Sequence, residues 1–273
     1  MTKIINRSNW IYIPLIIIGL LFLTPFLIMV GGSFVNMRSP VGSPFVWVFK
    51  EELALINFKY IFTNSPYFKW IINSVIITVI PVFTQMFFAA VLGYIFARKP
   101  FPFRDVIFWI MMGVIMLPGQ LLIIPRYIMF AKFEWINTYL PLIVPEIWGI
   151  MGVFLVRQFM MTLPKDLEEA AYIDGANDFT VFFKIYLPLA KPVIATVGTF
   201  AFIGNWNDLL TPLIFTTSEA MYPITVGLAS LLTKEGHFGV EMAGSVLSFI
   251  PTFLIFLFFQ RYFVKGIALS GIK

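Results

Sequence analysis

Residues 163–192 read LPKDLEEAAYIDGANDFTVFFKIYLPLAKP, a charged island between two long apolar runs. Pro164 is a helix-start signal, and Leu167, Ala170 and Ala171 then fall at helical spacing on one face. Gly175 supplies the left-handed residue that stops this helix. Asn177 or Asp178 can cap a second helix, which Pro188 is expected to end. A soluble-looking helix-turn-helix has no use inside a greasy sequence unless it stands in water between segments that do not. The loop, residues 162–190, therefore reads as a short rigid helix presented to the water phase by a membrane protein.

The rest of the chain agrees. Hydrophobic residues make up 59% and charged residues 12%, with a mean hydropathy of +0.89, outside the range of a soluble globular domain. Crossing a bilayer as a helix takes about 20 apolar residues. Six stretches qualify or nearly do: 11–31, 70–97, 106–125, 138–156, 193–217 and 242–260. The runs are continuous and do not alternate, which excludes a transmembrane β-barrel. The expected fold is all-α, a polytopic membrane bundle of six helices with one cytoplasmic loop helix. It is read as a single membrane domain over residues 1–273, with a tail at 261–273. Lys3 and Arg7 give a basic start, but the apolar run after them is longer than a signal core and no small-x-small site follows. It reads as an uncleaved first span. There is no Cys, so disulfides and cysteine metal sites are excluded.

Charge bias sets the expected orientation. With a cytoplasmic amino terminus and six spans, the inner segments hold 12 Lys and Arg residues and the outer segments 7. That satisfies the positive-inside rule. It places Glu169 and both termini in the cytoplasm and residues 233–237 outside. The net charge of +5 is spread over membrane-flanking loops with no compact basic patch, so nucleic-acid binding is not expected and lipid headgroups account for the cations. No phosphate-binding loop of the Gly-x-x-x-x-Gly-Lys-Ser/Thr type is present, so this polypeptide is not the nucleotide-hydrolysing subunit. No zinc or nucleophile motif is visible, and the lone His237 reads as a solvated loop residue. The chain is not expected to be an enzyme or to hold a metal. Energy must come from a partner or from an ion gradient.

The order Glu169-Ala170-Ala171, three residues, Gly175, nine residues, Ile185-x-Leu187-Pro188 resembles the cytoplasmic loop with which ABC importer permeases dock on their ATPase. Asn57-Phe58-x-Tyr60 with Asn73-Ser74, and Phe202-Ile203-x-Asn205-Trp206-Asn207-Asp208 with Pro212-Leu213, resemble the second and fifth spans of carbohydrate importers. The end, from Gln260 and Arg261 through Gly266 to Gly271 and Lys273, is similar to the maltose-type permease whose tail enters the ATPase. Nearly the whole chain thus resembles the MalG-like sugar permeases. Two departures stand out: the first outer loop, about residues 32–69, has no room for an inserted domain, and the chain stops at Lys273 where many relatives add a glycine.

The resemblance implies one half of a heterodimeric channel in the bacterial cytoplasmic (inner) membrane, working by alternating access. Its implied partners are a second, MalF-like permease subunit, two ATPase subunits and an extracellular or periplasmic sugar-binding protein. ATP and Mg would be bound by the ATPases, leaving no cofactor in this chain. Glu169, Ala170, Ala171, Gly175, Ile185, Leu187 and Pro188 would couple to the ATPase, and Gly266, Gly271 and Lys273 would form a tail at its interface.

Polar residues within spans are costly and mark a pathway or a buried partner. Glu146 lies eight residues into the fourth span, about 12 Å deep at 1.5 Å per residue. It reads either as a cavity-lining group that bonds sugar hydroxyls or as a structural hydrogen bond to the partner subunit. Pro145 and Gly149 beside it allow a kink. Asn205, Trp206, Asn207 and Asp208 form the densest polar-aromatic cluster in any span. An indole face suits a sugar ring, and amides with a carboxylate suit its hydroxyls. The alternative is that the cluster unwinds or caps the fifth span, and the resemblance favours it, because in maltose-type importers the sister permease holds the main sugar site.

In the long outer loop 216–241, residues 224–232 read as a helix lying on the membrane surface. The tip with Lys234, Glu235, Gly236 and His237 would then meet the binding protein in the maltose-type relatives. Two rival readings remain open. One is an ion-coupled transporter with Glu146 and Asp208 as ion sites. The other is an ABC permease for glycerol phosphate or an acidic saccharide, although the absence of Lys or Arg from the span cores favours a neutral sugar.

Overall fold

The computed structural model describes residues 5–35, 54–235 and 237–271, and among them every regular element is helical. α1 is Ile5–Ser33, α2 Ile56–Asn64, α3 Tyr67–Arg98, α4 Arg104–Ile115 and α5 Ile123–Lys132. Leu140–Ile143 is α6, followed by a 3-10 turn, and Ile150–Met161 is α7. Asp166–Ile173 (α8) and Asp178–Leu189 (α9) make the helix-turn-helix. Lys191–Asn207 is α10, Leu210–Phe215 α11, Ile224–Glu235 α12 and Phe238–Gly271 α13.

Four segments are long and apolar enough to cross a membrane by themselves: Tyr12–Ser33, Tyr67–Arg98, Leu140–Met161 and Phe238–Gln260. The number is six if each of two bent pairs counts as one span. The chain is the expected all-α membrane bundle, with corrections to three spans. The third is broken: α4 meets Gly119–Lys132 at 86°, because Pro118 lacks an N–H and cannot extend α4. The fifth is interrupted at Asp208 and Leu209, where the Asp208 backbone turns extended. The sixth does not loosen near Gly266 into the flexible tail expected there, since the backbone is helical through Gly271.

The chain divides into two compact units, residues 1–68 with 227–250, and residues 69–226 with 251–273. In the first, Asn57 donates to the carbonyls of Ser33 and Val35, both at 2.9 Å. This buried amide ties the end of α1 to α2. From Tyr12 on, the apolar side chains of α1 are largely exposed, as a lipid-facing helix requires.

The second unit has its core where α3, α7, α9 and α10 meet, around Ala89, Tyr94, Val156, Met160, Tyr186 and Val197. Small residues set the spacing. A Cβ on Gly152 would sit 2.8 Å from Val197 Cγ1 and 3.0 Å from Ala89 Cβ, so backbones approach here as they do at small-residue contacts between membrane helices.

Candidate functional site

The loop of residues 162–190 is built by local rules. Gly175 has φ +81°. Its N–H donates to Tyr172 O at 3.0 Å and the Ala176 N–H to Ala171 O at 2.9 Å, the paired bonds of a Schellman stop. Asn177 then caps α9, accepting from the Thr180 N–H at 2.9 Å. Pro188 does not end α9 as expected. The helix widens to a π turn over Phe182–Tyr186 and runs on to Leu189. Pro188 cannot donate to the carbonyl four residues back and would crowd it, and the wider turn relieves both problems. The bend of 71° comes between Leu189 and Lys191.

The two glutamates of the loop differ. Glu169 is exposed, in company with Asp166, Asp174, Ile173 at 87% exposure and Phe179 at 75%. Glu168 turns inward and meets Lys99 Nζ at 2.8 Å, with both side chains mostly covered. Lys99 also donates to Tyr172 Oη at 2.6 Å and to Asp178 Oδ1 at 3.0 Å. Tyr172 donates to Asp178 Oδ1 at 2.6 Å, and Tyr186 to Glu168 Oε2 at 3.1 Å. Burial pulls the Lys99 ammonium down, but its bonds to Glu168, Tyr172 and Asp178 outweigh that and hold it well above its ordinary value. Burial likewise pushes Glu168 up, and the bonds from Lys99, Tyr172 and Tyr186 overcome it and hold the carboxyl below its usual range.

Next to Lys99, the Arg98 guanidinium donates to Met160 O and Leu163 O at 2.5 Å each, closing the end of α7. None of Lys99, Arg98, Tyr172 or Asp178 was singled out as a site residue from sequence. Adjacent basic residues just past a span ordinarily mean only orientation.

A cavity of about 520 Å³ opens among α3, α7 and α10, within the roughly 300–1,000 Å³ of ligand pockets. Glu146, Asn205, Asn207 and Asp208 all line it, together with Gln85 and Phe200. Trp206 does not. It is 4% exposed and stacks on Phe202 with ring centroids 5.5 Å apart. Positions 202 and 206 share one face of α10, turned away from the cavity face that carries 197, 201, 204 and 205. Gln85, unflagged in the sequence, donates to Glu146 O at 2.6 Å. Asp208 also caps α11, accepting from the Thr211 N–H at 3.3 Å, so capping and cavity lining coexist in one residue. Among the described residues no Lys, Arg or His lines this cavity, although Arg126 is near enough to act on the Glu146 carboxyl.

The loop that follows α11 is pinned to α3. Asn73 donates to Ala220 O at 2.9 Å and Tyr222 O at 2.8 Å, and Ser74 Oγ accepts from the Ile224 N–H at 2.8 Å. α12 follows as expected, over Ile224–Glu235. Of the expected tip, Lys234 and Glu235 are placed by backbone as the end of α12, and Gly236 lies outside the described residues. His237 is half-buried rather than solvated, its Nδ1 enclosed without a hydrogen-bond partner among the described residues. In the tail, Gly266 and Gly271 are placed by backbone on α13, and Lys273 lies outside the described residues. Among the described residues no group of three His, Asp or Glu could hold a metal ion.

Residues 89–269 match the protein family described as binding-protein-dependent transport system inner membrane component. The chain is 37% identical over 225 residues to the arabinooligosaccharides transport system permease protein AraQ of Halalkalibacterium halodurans, covering 82% of this chain and 81% of that one. It is 31% identical over 207 residues to the sn-glycerol-3-phosphate transport system permease protein UgpE of Yersinia pestis, covering 75% and 74%. Its fold matches a chain of a bacterial ABC transporter involved in the import of the acidic polysaccharide alginate, with a TM-score of 0.79 and 21% identity. That match covers 96% of this chain and 99% of the other.

Proposed function

The chain belongs to the binding-protein-dependent transport system inner membrane components as the permease component of a sugar ABC importer, and from that premise we propose that its substrate is a neutral mono- or oligosaccharide. The supporting observation is the cavity. Two carboxylates, Glu146 and Asp208, and three amides, Gln85, Asn205 and Asn207, face a space with no cation on its wall. Hydroxyls donate to carboxylates and exchange hydrogen bonds with amides. A phosphate or a uronate would meet like charge on the wall itself, and Arg126, the cation that acts on Glu146, does not line the space. Among the relatives, the arabinooligosaccharide permease has the substrate class this wall suits, and the glycerol-phosphate and alginate systems do not.

We infer too that the permease pairs with a second permease subunit, two ATPases and an external binding protein, and does no catalysis itself. Both termini face the cytoplasm. The exposed face of α8 and α9, with Glu169, Ala170, Gly175, Ile173 and Phe179, enters the ATPase. Ala171 and Leu187, packed against the core, with Ile185 and Pro188, set the shape of that face. The end of α12 and His237 approach the binding protein, and the tail with Gly266, Gly271 and Lys273 approaches the ATPases. The whole chain, residues 1–273, acts as one membrane domain. ATP binding and docking must both favour the outward-open state over the resting one for the cavity to load.

The test is uptake into proteoliposomes holding the complete importer. Neutral arabino-oligosaccharides, galacturonate oligomers and sn-glycerol 3-phosphate are offered in turn, with and without internal ATP. ATP-dependent uptake of the neutral sugar alone is expected. Preference for either anion overturns the substrate reading, and ATP-independent uptake restores the ion-coupled alternative, which has no use for the docking loop.

A further inference from the structure

The loop that meets the ATPase consists of two short helices, and α8 has only 8 residues. Helices of that length are not stable alone in water and take their orientation from what holds them. Two things hold these. One is the apolar packing of Val181, Phe182 and Tyr186 on α3 and α7. The other is polar and converges on one atom, Lys99 Nζ. It touches Glu168 of α8 at 2.8 Å, Tyr172 of α8 at 2.6 Å and Asp178 of α9 at 3.0 Å. It also stands 5.3 Å from the ring centroids of both Tyr94 and Tyr172. All three bonds of an ammonium are thereby used on the two docking helices.

Lys99 follows directly on Arg98, the last residue of α3. Arg98 in turn holds the Met160 and Leu163 carbonyls, where α7 leads into the loop. The cytoplasmic end of α3 thus grips the docking element at its entry, its first helix and its second. At the other end of the same helical stretch, Gln85 lines the cavity and holds the backbone of Glu146. Gln85 and Lys99 are separated by 14 residues (99 − 85), about 21 Å along a helix axis. Pro81 lies outside that stretch, so no proline interrupts it.

We propose that Lys99 is a positioning residue that locks the docking helices to α3. Movement of the ATPase then reaches the Gln85–Glu146 side of the cavity through α3 as a rigid rod. This rests on the reading of α8 and α9 as the ATPase-docking surface. Packing alone would hold the helices near α3 but let them rock about it. Three bonds from one ammonium to two helices fix the angle, and their charge-assisted character makes them strong.

The test uses the complete importer in proteoliposomes and reads three quantities: copurified ATPase, binding-protein-stimulated hydrolysis, and sugar taken up per ATP hydrolysed. Lys99→Met keeps the packed stem and removes the charge. It should leave ATPase copurification near wild type while lowering sugar per ATP by about tenfold, toward the lower end of the usual range for coupling between sites. Lys99→Arg, which retains the charge, should recover part of that loss, whereas a merely structural role would show in copurification first. Tyr172→Phe and Asp178→Asn remove one arm each with little change of shape and carry the test if Lys99→Met fails to assemble; each should lower sugar per ATP without loss of ATPase. Wild-type sugar per ATP in assembled Lys99→Met, or in both arm variants, overturns the proposal. Phe179→Asp on the exposed face is the separate control. If it copurifies ATPase as wild type does, the docking surface itself is misread. If it loses ATPase while Lys99→Met stays fully coupled, only the lock is wrong.

Discussion

Replacing Gly175 by valine isolates one physical term. The residue sits at φ +81°, and a Cβ there would meet nothing within 4 Å. At the Cβ, steric contact with neighbours therefore adds nothing, and the cost falls on the backbone. Holding an L-residue in the left-handed region costs about 1–2 kcal/mol, most for a β-branched side chain and least for asparagine. That penalty acts on the two bonds of the stop, from Gly175 N–H to Tyr172 O and from Ala176 N–H to Ala171 O. If the loop opens locally, 1–2 kcal/mol makes the open form about 5–30 times more populated.

Hydrogen exchange reads that population directly. In purified permease, a peptide spanning residues 167–178 should exchange faster at the Gly175 and Ala176 amides, in the order Gly, Asn, Ala, Val. Copurified ATPase should fall in the same order. A valine variant that exchanges like wild type, or no faster than the asparagine variant, would refute the argument that the left-handed residue sets the loop.

Asp208→Asn keeps a good helix cap and removes the charge, whereas Asp208→Ala loses both, the cap being worth about 1 kcal/mol. If the carboxylate binds a sugar hydroxyl, Asp208→Asn should lower uptake about tenfold or more, as expected for hydrogen bonds to charged groups. Uptake at the wild-type rate with Asn and a defect only with Ala would assign Asp208 to the cap alone. The Lys99–Glu168 bond should be indifferent to physiological pH. Glu168 is held below its ordinary 4.5, so its contribution is full above that value and is lost only as pH falls through the lower folded value. Lys99 is held above its ordinary 10.5, so its contribution is full below that value and is lost only as pH rises through the higher folded value. Sugar taken up per ATP should accordingly stay flat between about pH 5.5 and 9.5, and a titration near pH 7 would exclude this pair as its source. Orientation can be read with single cysteines in this cysteine-free chain. An impermeant thiol reagent applied to intact cells should label Glu235→Cys and spare Ser8→Cys and Ser270→Cys, and the reverse pattern inverts the topology.

The sequence by itself determined what is local or what the bilayer imposes. A membrane crossing demands a long apolar run, so the spans could be located without knowing how they pack. The stop at Gly175 and the cap at Asn177 were legible too, because each depends on residues no more than five apart. The inner face of the loop was not. Lys99 finds Glu168 and Asp178 at 69 and 79 residues' distance, and only the crossing of α3, α8 and α9 brings them together. The same crossing decides that Glu168 turns inward while Glu169 stays exposed.

In α10, composition gave the polar cluster, and helix rotation divided it. Asn205 and Asn207 face the cavity with Gln85 of α3, and Trp206 packs on Phe202 instead. Neighbouring residues on a helix point about 100° apart. Which of them reaches a shared space depends on where the axis lies, and tertiary packing alone sets that.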